Sequence, residues 1–274
     1  MSILEALVLG VVQGLTEFLP VSSSGHLVLL QKIFGIEEPV LLFDTLVHTG
    51  TLAAVCIVLR RDIWDILRKL VQPLTLYLVI GTVPAVIAAL LFSEKIEKTF
   101  TAASFLGFSF MVTSALLVLS ELWPKRKTSP EGKPEKKMNW INALVTGIFQ
   151  AIAIVPGISR SGATLSAGLF CGLKRDNAVR FAFLLSIPAI LGALVFQLKN
   201  LFFEYPGLPG PEGMTAIGAA PIITGAVSAA VVGFFSVKFM LKIVREKSLL
   251  GFGVYTGLLG ILILVDRFAT HFFF

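Results

Sequence analysis

One unusual motif occurs twice in this chain, and the repetition constrains the fold more than any other feature of the sequence. Each copy consists of Gly-x-x-Gln, a proline, and a cluster of serines followed by a glycine, in that order along the chain. The copies lie at residues 10–26 and 147–162. Glycines, a proline and clustered hydroxyls interrupt an apolar helix. Each copy therefore predicts a broken helix whose exposed backbone lines a shared site.

The composition predicts an all-α polytopic membrane protein. Hydrophobic residues make up 55% of the chain and charged residues 15%, and the mean hydropathy is +0.87. A single soluble core cannot bury that much apolar surface. Stretches long enough to cross a bilayer as helices lie at 41–59, 73–92, 104–123, 178–198, 218–240 and 249–267. The motif copies predict two re-entrant helix-loop-helix hairpins, built from 2–19 with 24–35 and from 139–155 with 161–173.

The two halves of the chain match beyond the motif. Phe43 and Leu46 recur as Phe181 and Leu184, and the Gly-x-Val-x-Ala pattern at 81–85 recurs at 225–229. We therefore expect a first repeat (1–123), a cytoplasmic linker (124–138) and a second repeat (139–274), which form one integrated membrane domain. Each repeat holds three spans, so the second enters the bilayer from the opposite side, and the repeat has inverted topology.

The basic residues predict the orientation. Segments 60–70, 124–138, 174–180 and 238–247 hold 4, 6, 3 and 4 Lys or Arg, which is 17 of the 23 in the chain. The positive-inside rule places these segments in the cytoplasm and both termini outside. This orientation, together with anionic lipid, explains the net charge of +6 without nucleic acid. Arg160 alone falls in neither compartment, because it lies in the second break at membrane depth.

Ionisable side chains within membrane segments are costly, which makes them candidate functional residues. Gln13 and Glu17 are four residues apart and share a helix face. We interpret Glu17 as a carboxylate that binds a metal ion or handles protons, although a purely structural pair with Arg160 is the alternative. Gln13 cannot titrate and is as well explained by hydrogen bonding. Asp44 and His48 lie one turn apart in the first span, and their role stays open.

The serine clusters predict an anion site. Ser22, Ser23, Ser24 and Gly25 open a helix whose first backbone N–H groups have no helical acceptor, an arrangement suited to anions. Helix capping by Ser22 or Ser23 is the alternative. The second copy repeats the pattern with Ser159, Ser161 and Gly162, and adds Arg160, whose guanidinium fits phosphate oxygens.

His26 follows the first serine cluster, and we expect it beside Ser23 with Glu17 across the break. That position predicts a nucleophile or a general acid/base, and the sequence does not separate Ser23 from His26 as the nucleophile. A carboxylate, an imidazole, hydroxyls and an arginine together suit a phosphorylated substrate.

These residues resemble the undecaprenyl-diphosphate phosphatase (bacitracin-resistance) family. The resemblance covers nearly the whole chain and rests on the runs at 13–26, 43–50, 156–164 and 183–188. It implies an integral enzyme of the bacterial plasma membrane that removes the terminal phosphate of a C55 polyprenyl diphosphate. The product is the lipid carrier for peptidoglycan synthesis, and the site faces the outer side.

The resemblance also implies the site residues. Glu17, Ser23 and His26 are expected to be catalytic, and Glu17 with Gln13 to hold Mg²⁺ or Ca²⁺, although many members have glutamate in place of Gln13. The resemblance gives Arg160 as the phosphate-binding arginine. The two serine clusters add Ser22, Ser24, Gly25, Ser159, Ser161 and Gly162 as expected phosphate ligands.

Three other classes fit parts of the pattern. Inverted repeats with broken helices are typical of transporters, so a transporter or flippase of an anionic or prenyl-phosphate substrate is the main alternative. The phosphatidic-acid phosphatase superfamily would need a histidine where this chain has Ser166. A structural scaffold would not need the ionisable cluster.

The Gly-x-x-x-Gly pairs at 10–14, 168–172 and 253–257 leave a homodimer open. Cys56 and Cys171 predict neither a disulfide nor a zinc site.

Overall fold

The computed structural model describes residues 1–36, 41–102, 105–123, 137–199 and 217–272. Of the linker predicted at 124–138, all but the last two residues lie outside the described part. The described residues form helices and no strand, as the composition predicts. Their bounds are α1 Ile3–Thr16, α2 Ser23–Ile33, α3 Leu41–Val58, α4 Arg60–Arg68, α5 Pro73–Ala102, α6 Leu106–Leu122, α7 Trp140–Ile152, α8 Arg160–Phe170, α9 Arg175–Lys199, α10 Ala219–Glu246 and α11 Leu250–Val265.

A helix occurs at each of the six stretches predicted to span the membrane. Among the described residues, four helices are long and apolar enough to cross a bilayer: Pro73–Phe92, Arg175–Phe196, Ala219–Glu246 and Leu250–Thr270. The count is five if α3 and α4, which are bent by 75° at Leu59, form one broken span. Helix α6 is apolar but has only 17 residues. The structure thus shows an all-helical membrane protein, and the count of six spans stays a prediction.

Both motif copies are broken where the sequence predicts. Helix α1 ends at Thr16 and α2 begins at Ser23, while α7 ends at Ile152 and α8 begins at Arg160. Pro20 and Pro156 lie within the two breaks. The predicted starts at 24 and 161 are each one residue late, because Ser22 and Ser159 cap the helices and draw the following residue into the first turn.

The helices of one half pack closely against helices of the other half. Helix α1 lies against α10, and a methyl group on Gly14 would come within 2.8 Å of the Ala229 carbonyl oxygen. Helix α7 lies against α5, and a methyl group on Gly147 would come within 2.5 Å of the Gly81 carbonyl oxygen. Lipid supplies little hydrophobic force between helices, so close packing of small residues is what holds such pairs together. Each broken helix is therefore held by the opposite repeat.

The Gly-x-x-x-Gly pairs, which could have formed the interface of a homodimer, pack against helices of the same chain. Gly10 and Gly14 contact α10, and a methyl group on Gly257 would come within 2.8 Å of the Ser114 hydroxyl oxygen on α6. Gly168 packs against Ala178 in the same way. These surfaces are already occupied, and the homodimer stays a prediction that the glycines no longer support.

Replacing Gly147 with alanine tests the contact between α7 and α5. The added methyl group has no space beside the backbone of Gly81, so we expect a loss of about 1–3 kcal/mol, typical of overpacking. Gly192→Ala is the matched control, since nothing lies within 4 Å of its methyl position, and it should not destabilise the protein. Thermal unfolding of detergent-purified protein measures both. Equal stability of the two variants would contradict the packing.

Candidate active site

Glu17 is the centre of a polar network that joins the two breaks. Its side chain is only 2% exposed, and its Oε1 lies 2.5 Å from Nη2 of Arg160. Its Oε2 accepts hydrogen bonds from Ser23 Oγ at 2.5 Å and from Gln13 Nε2 at 2.9 Å. His48 Nε2 lies 3.7 Å from the same oxygen. The structure therefore brings together Gln13, Glu17, Ser23 and Arg160, which the sequence places in two different halves.

The position of Glu17 follows from its neighbours in the chain. Glu17 is the C-cap of α1, and its backbone N–H donates to the Gln13 carbonyl, so the two side chains emerge from the same face. The next residue, Phe18, is fully buried and packs edge-to-face on Phe183, with ring centroids 5.6 Å apart. This apolar anchor in α9 fixes the start of the first break.

Arg160 approaches from the other half. It is the first residue of α8 and its side chain is 24% exposed. The preceding residue is fixed by α6, because the Ser159 backbone N–H donates to Thr113 Oγ1 at 2.9 Å. The Arg160 guanidinium thus reaches Glu17 while it keeps an open side for a ligand.

Serine hydroxyls connect the two breaks directly. Ser161 Oγ donates to the Leu19 carbonyl at 2.9 Å, and the Gly157 backbone N–H donates to Ser24 Oγ at 3.3 Å. Each contact runs from one break to the other. Ser23, Ser24, Ser161 and Arg160 are all partly exposed, so their polar groups are not sealed off from a ligand.

Two of the predicted phosphate ligands, Ser22 and Ser159, act as helix caps in this structure. Ser22 Oγ accepts from the Gly25 N–H at 3.2 Å, and Ser159 Oγ accepts from the Gly162 N–H at 3.0 Å. Both serines are 2% exposed, so capping accounts for their hydroxyls. A methyl group on Gly25 would lie 2.7 Å from the Phe110 ring. Packing against this ring is therefore sufficient to explain a glycine at this position.

His26 has different partners from those the sequence led us to expect. Its Nδ1 lies 2.7 Å from the Ser22 carbonyl oxygen, and its Nε2 lies 2.7 Å from the Tyr255 hydroxyl. Ser23 donates to Glu17, and both ring nitrogens of His26 have partners other than the Ser23 hydroxyl. Ser23 and His26 are three residues apart in α2, so their side chains leave the helix on the same side and differ only in their partners.

Sequence reasoning missed Tyr255 and left His48 open. Tyr255 lies on α11, far along the chain, and nothing in its local pattern separates it from an ordinary lipid-facing aromatic residue. His48 Nδ1 bonds to the Asp44 carbonyl at 2.7 Å, which turns Nε2 toward Glu17. Asp44 itself accepts from Gln31 Nε2 at 2.8 Å. The available signal for His48 was its place one turn after another ionisable residue in a membrane segment.

The residues around Glu17 offer a limited set of ligands for a divalent cation. Within the described part of the chain, no three His, Cys, Asp or Glu side chains are grouped to hold a metal ion. Gln13 Oε1, however, is buried and has no hydrogen-bond partner there. This unpaired oxygen and the adjacent carboxylate fit a cation that takes its remaining ligands from water and substrate phosphate, as Mg²⁺ commonly does.

Ser166 does not belong to the site. It is fully buried, and its hydroxyl has no partner within the residues that the structure describes. The position that a phosphatidic-acid phosphatase would fill with histidine therefore lies inside the packed helices.

The fold and the network define a helical membrane protein with a polar site built from two broken helices, one carrying a carboxylate and a hydroxyl, the other an arginine. The chain belongs to the family described as bacitracin resistance protein BacA, whose sequence model matches residues 6–262. This match includes both breaks and every residue of the Glu17 network.

Curated relatives cover nearly the whole chain. A protein from Carboxydothermus hydrogenoformans named undecaprenyl-diphosphatase is 46% identical over 272 residues, which is 99% of this chain and 100% of the relative. A protein of the same name from Halothermothrix orenii is 40% identical over 97% of this chain and 98% of its own length. One from Korarchaeum cryptofilum is 38% identical over 96% and 99%.

Removing each partner of the Glu17–Arg160 pair should have unequal effects. Arg160→Gln leaves a carboxylate that is 2% exposed without its cation and should destabilise the protein by about 3 kcal/mol. Glu17→Gln leaves an arginine that still reaches solvent, so the loss of stability should be clearly smaller. The double variant should recover much of the loss. Thermal unfolding of the three variants measures this, and a double variant as unstable as the sum of the singles contradicts a direct pair.

Proposed function

We propose that this chain is an integral membrane phosphatase that hydrolyses undecaprenyl diphosphate to the monophosphate and phosphate, and so recycles the lipid carrier for peptidoglycan synthesis. The observation that carries the proposal is the 2.5 Å hydrogen bond from Ser23 Oγ to Glu17, beside Arg160. A hydroxyl paired with a buried base next to a guanidinium suits displacement at phosphorus. Family membership and the names of the relatives support the substrate.

In the first step, Ser23 Oγ attacks the terminal phosphorus. Glu17 accepts the hydroxyl proton, the phosphoanhydride bond breaks, and undecaprenyl monophosphate leaves with the bridging oxygen. The geometry favours Ser23 over His26 as the nucleophile. The Ser23 hydroxyl already donates a hydrogen bond to the Glu17 carboxylate, whereas Nε2 of His26 is hydrogen-bonded to the Tyr255 hydroxyl. In the second step, water attacks the phosphoserine and gives up a proton to a base. The bond between phosphorus and Ser23 Oγ breaks, Glu17 returns its proton to that oxygen, and phosphate is released.

Arg160 and the helix ends stabilise the charge of the transferred group. The Arg160 guanidinium exchanges part of its contact with Glu17 for the equatorial oxygens of the terminal phosphate. Ser22 and Ser159 cap the amides of Gly25 and Gly162, while the two amides before each glycine have no acceptor within their own helix. The dipoles of both helices favour an anion at the break. Ser24 and Ser161 each contact the opposite break, are partly exposed and can donate to the phosphate.

His26 is proposed as the acid/base group of the second step. Its ring is held beside the first turn of α2, and a neutral imidazole can take the proton of the attacking water. A divalent cation held by Glu17 and the Gln13 carbonyl, together with substrate phosphate, would neutralise charge on the diphosphate when it is bound.

The membrane arrangement is part of the proposal. We infer six spans, two re-entrant hairpins and inverted repeats, with the site open to the outer face of the plasma membrane. Reciprocal packing supports related halves, since Gly10 and Gly147 contact Gly225 and Gly81 respectively, and all four belong to the repeat pattern. The distribution of Lys and Arg along the sequence supports the orientation.

Cysteine labelling checks that orientation. A single cysteine introduced at Ser2, with Cys56 and Cys171 replaced by alanine, should react with a membrane-impermeant maleimide in intact cells, because the N-terminus is expected outside. A cysteine in place of Lys69 is the matched control and should react only after the cells are opened. The reverse pattern would overturn the proposed topology.

Phosphate release by purified protein tests the function. With Mg²⁺ or Ca²⁺ we expect turnover of a polyprenyl diphosphate, and losses of at least roughly 100-fold in Glu17→Ala, Ser23→Ala, His26→Ala and Arg160→Ala. EDTA should stop turnover, and added Mg²⁺ should restore it.

Ser120→Ala is the matched serine control. Its buried hydroxyl donates to the Leu117 carbonyl at 2.8 Å, near the end of α6 and outside the Glu17 network, so activity should stay within about 3-fold of the unsubstituted protein. A protein that binds the lipid but releases no phosphate would indicate the transporter or flippase instead. Near-normal turnover in His26→Ala would remove that residue from the mechanism.

A further inference from the structure

The two ring nitrogens of His26 have partners that determine its tautomer. Nδ1 faces the Ser22 carbonyl oxygen, which can only accept, so Nδ1 carries a hydrogen. In the neutral ring, Nε2 is then the lone-pair nitrogen, and the Tyr255 hydroxyl at 2.7 Å donates to it. The nitrogen that proton transfer at the site needs is therefore covered by a tyrosine.

The ring of His26 is also fixed in direction. Tyr255 stacks on one face, with ring centroids 5.7 Å apart and planes 13° from parallel. Phe110 meets the ring edge-on at 5.3 Å and is fully buried. Because two aromatic side chains hold the imidazole, Nε2 can turn away from Tyr255 only if one of them moves.

Close packing of α11 on α6 places Tyr255 at the site. Ser114 Oγ donates to the Gly253 carbonyl at 2.7 Å, and the methyl position of Gly257 lies 2.8 Å from the same serine oxygen. Tyr255 lies between these two glycines. Its helix is held tightly, and the tyrosine is 46% exposed, so a ligand can approach the side chain.

We propose that Tyr255 is a positioning residue that fixes the tautomer of His26 and covers Nε2 until the diphosphate binds. This inference rests on the proposed function for its consequence in catalysis. When the substrate enters, the tyrosine hydroxyl turns and donates to a phosphate oxygen, and the Nε2 lone pair becomes available. Nε2 then accepts the proton of the water that attacks the phosphoserine, and the tyrosine keeps its own proton throughout.

The histidine ring nitrogens report this arrangement without any need for activity. The chain has three histidines, so ¹⁵N-histidine labelling gives few signals, which His48→Gln and His271→Gln assign. In the unsubstituted protein at neutral pH, His26 should show a protonated Nδ1 and an unprotonated, hydrogen-bonded Nε2. The opposite tautomer would overturn the proposal, and this measurement needs no variant of Tyr255.

Tyr255→Phe removes the hydroxyl and keeps the stacked ring. The Nε2 signal should shift to that of a nitrogen without a donor, and carbethoxylation of His26 relative to His48 should rise about 5-fold or more, as expected for the loss of one hydrogen bond. Tyr77→Phe, in a separate cluster with Leu185, is the matched control and should change neither. An unchanged Nε2 signal in Tyr255→Phe contradicts the proposal, whatever the reactivity.

Turnover separates this inference from the proposed function. In Tyr255→Phe we expect kcat/KM to fall about 10-fold, because His26 loses the hydroxyl that fixes its tautomer and the bound phosphate loses one donor. If the signals change but the unsubstituted protein releases no phosphate, only the proposed function fails. If phosphate is released and the Nε2 signal is unchanged, only the role of Tyr255 fails.

Discussion

The ion pair between Glu17 and Arg160 is the interaction on which the site depends. A carboxylate that is 2% exposed in a membrane protein would be prohibitively costly alone. Here Arg160 neutralises it, and Ser23 and Gln13 donate to its second oxygen. Because the partners come from different halves, the pair forms only when both broken helices are in place. Folding and assembly of the site are thus one event.

The glycine contacts make that pair geometrically possible. Gly14 lets α1 approach α10, and Gly147 lets α7 approach α5, so each broken helix is positioned by the opposite repeat. The serines at the breaks then cap α2 and α8 and connect one break to the other. Repetition of the motif accounts for this frame. The proposed reactive groups lie at positions where the two copies differ. The second copy has arginine at the position of Ser23 and alanine at the position of His26.

The sequence predicted the helical fold, the two breaks and the membership of Glu17 and Arg160 in one site, since each leaves a local signal. Glycine, proline and serine clusters mark a break, and an ionisable residue in an apolar stretch marks a function. The start of α2 was misplaced by one residue because several serines compete for the cap. The partner of His26 could not be predicted. Tyr255 reaches it only through the packing of α11 on α6, and such a contact has no pattern in either segment.

The central claim is that Ser23, activated by Glu17 and held beside Arg160, attacks the terminal phosphorus. The most direct test is to quench turnover of a polyprenyl diphosphate labelled in its terminal phosphate and to map the labelled peptide. The account predicts an acid-stable phosphoserine at Ser23 that is absent from Ser23→Ala. An acid-labile phosphohistidine at His26, or unchanged turnover in Ser23→Ala, would contradict it.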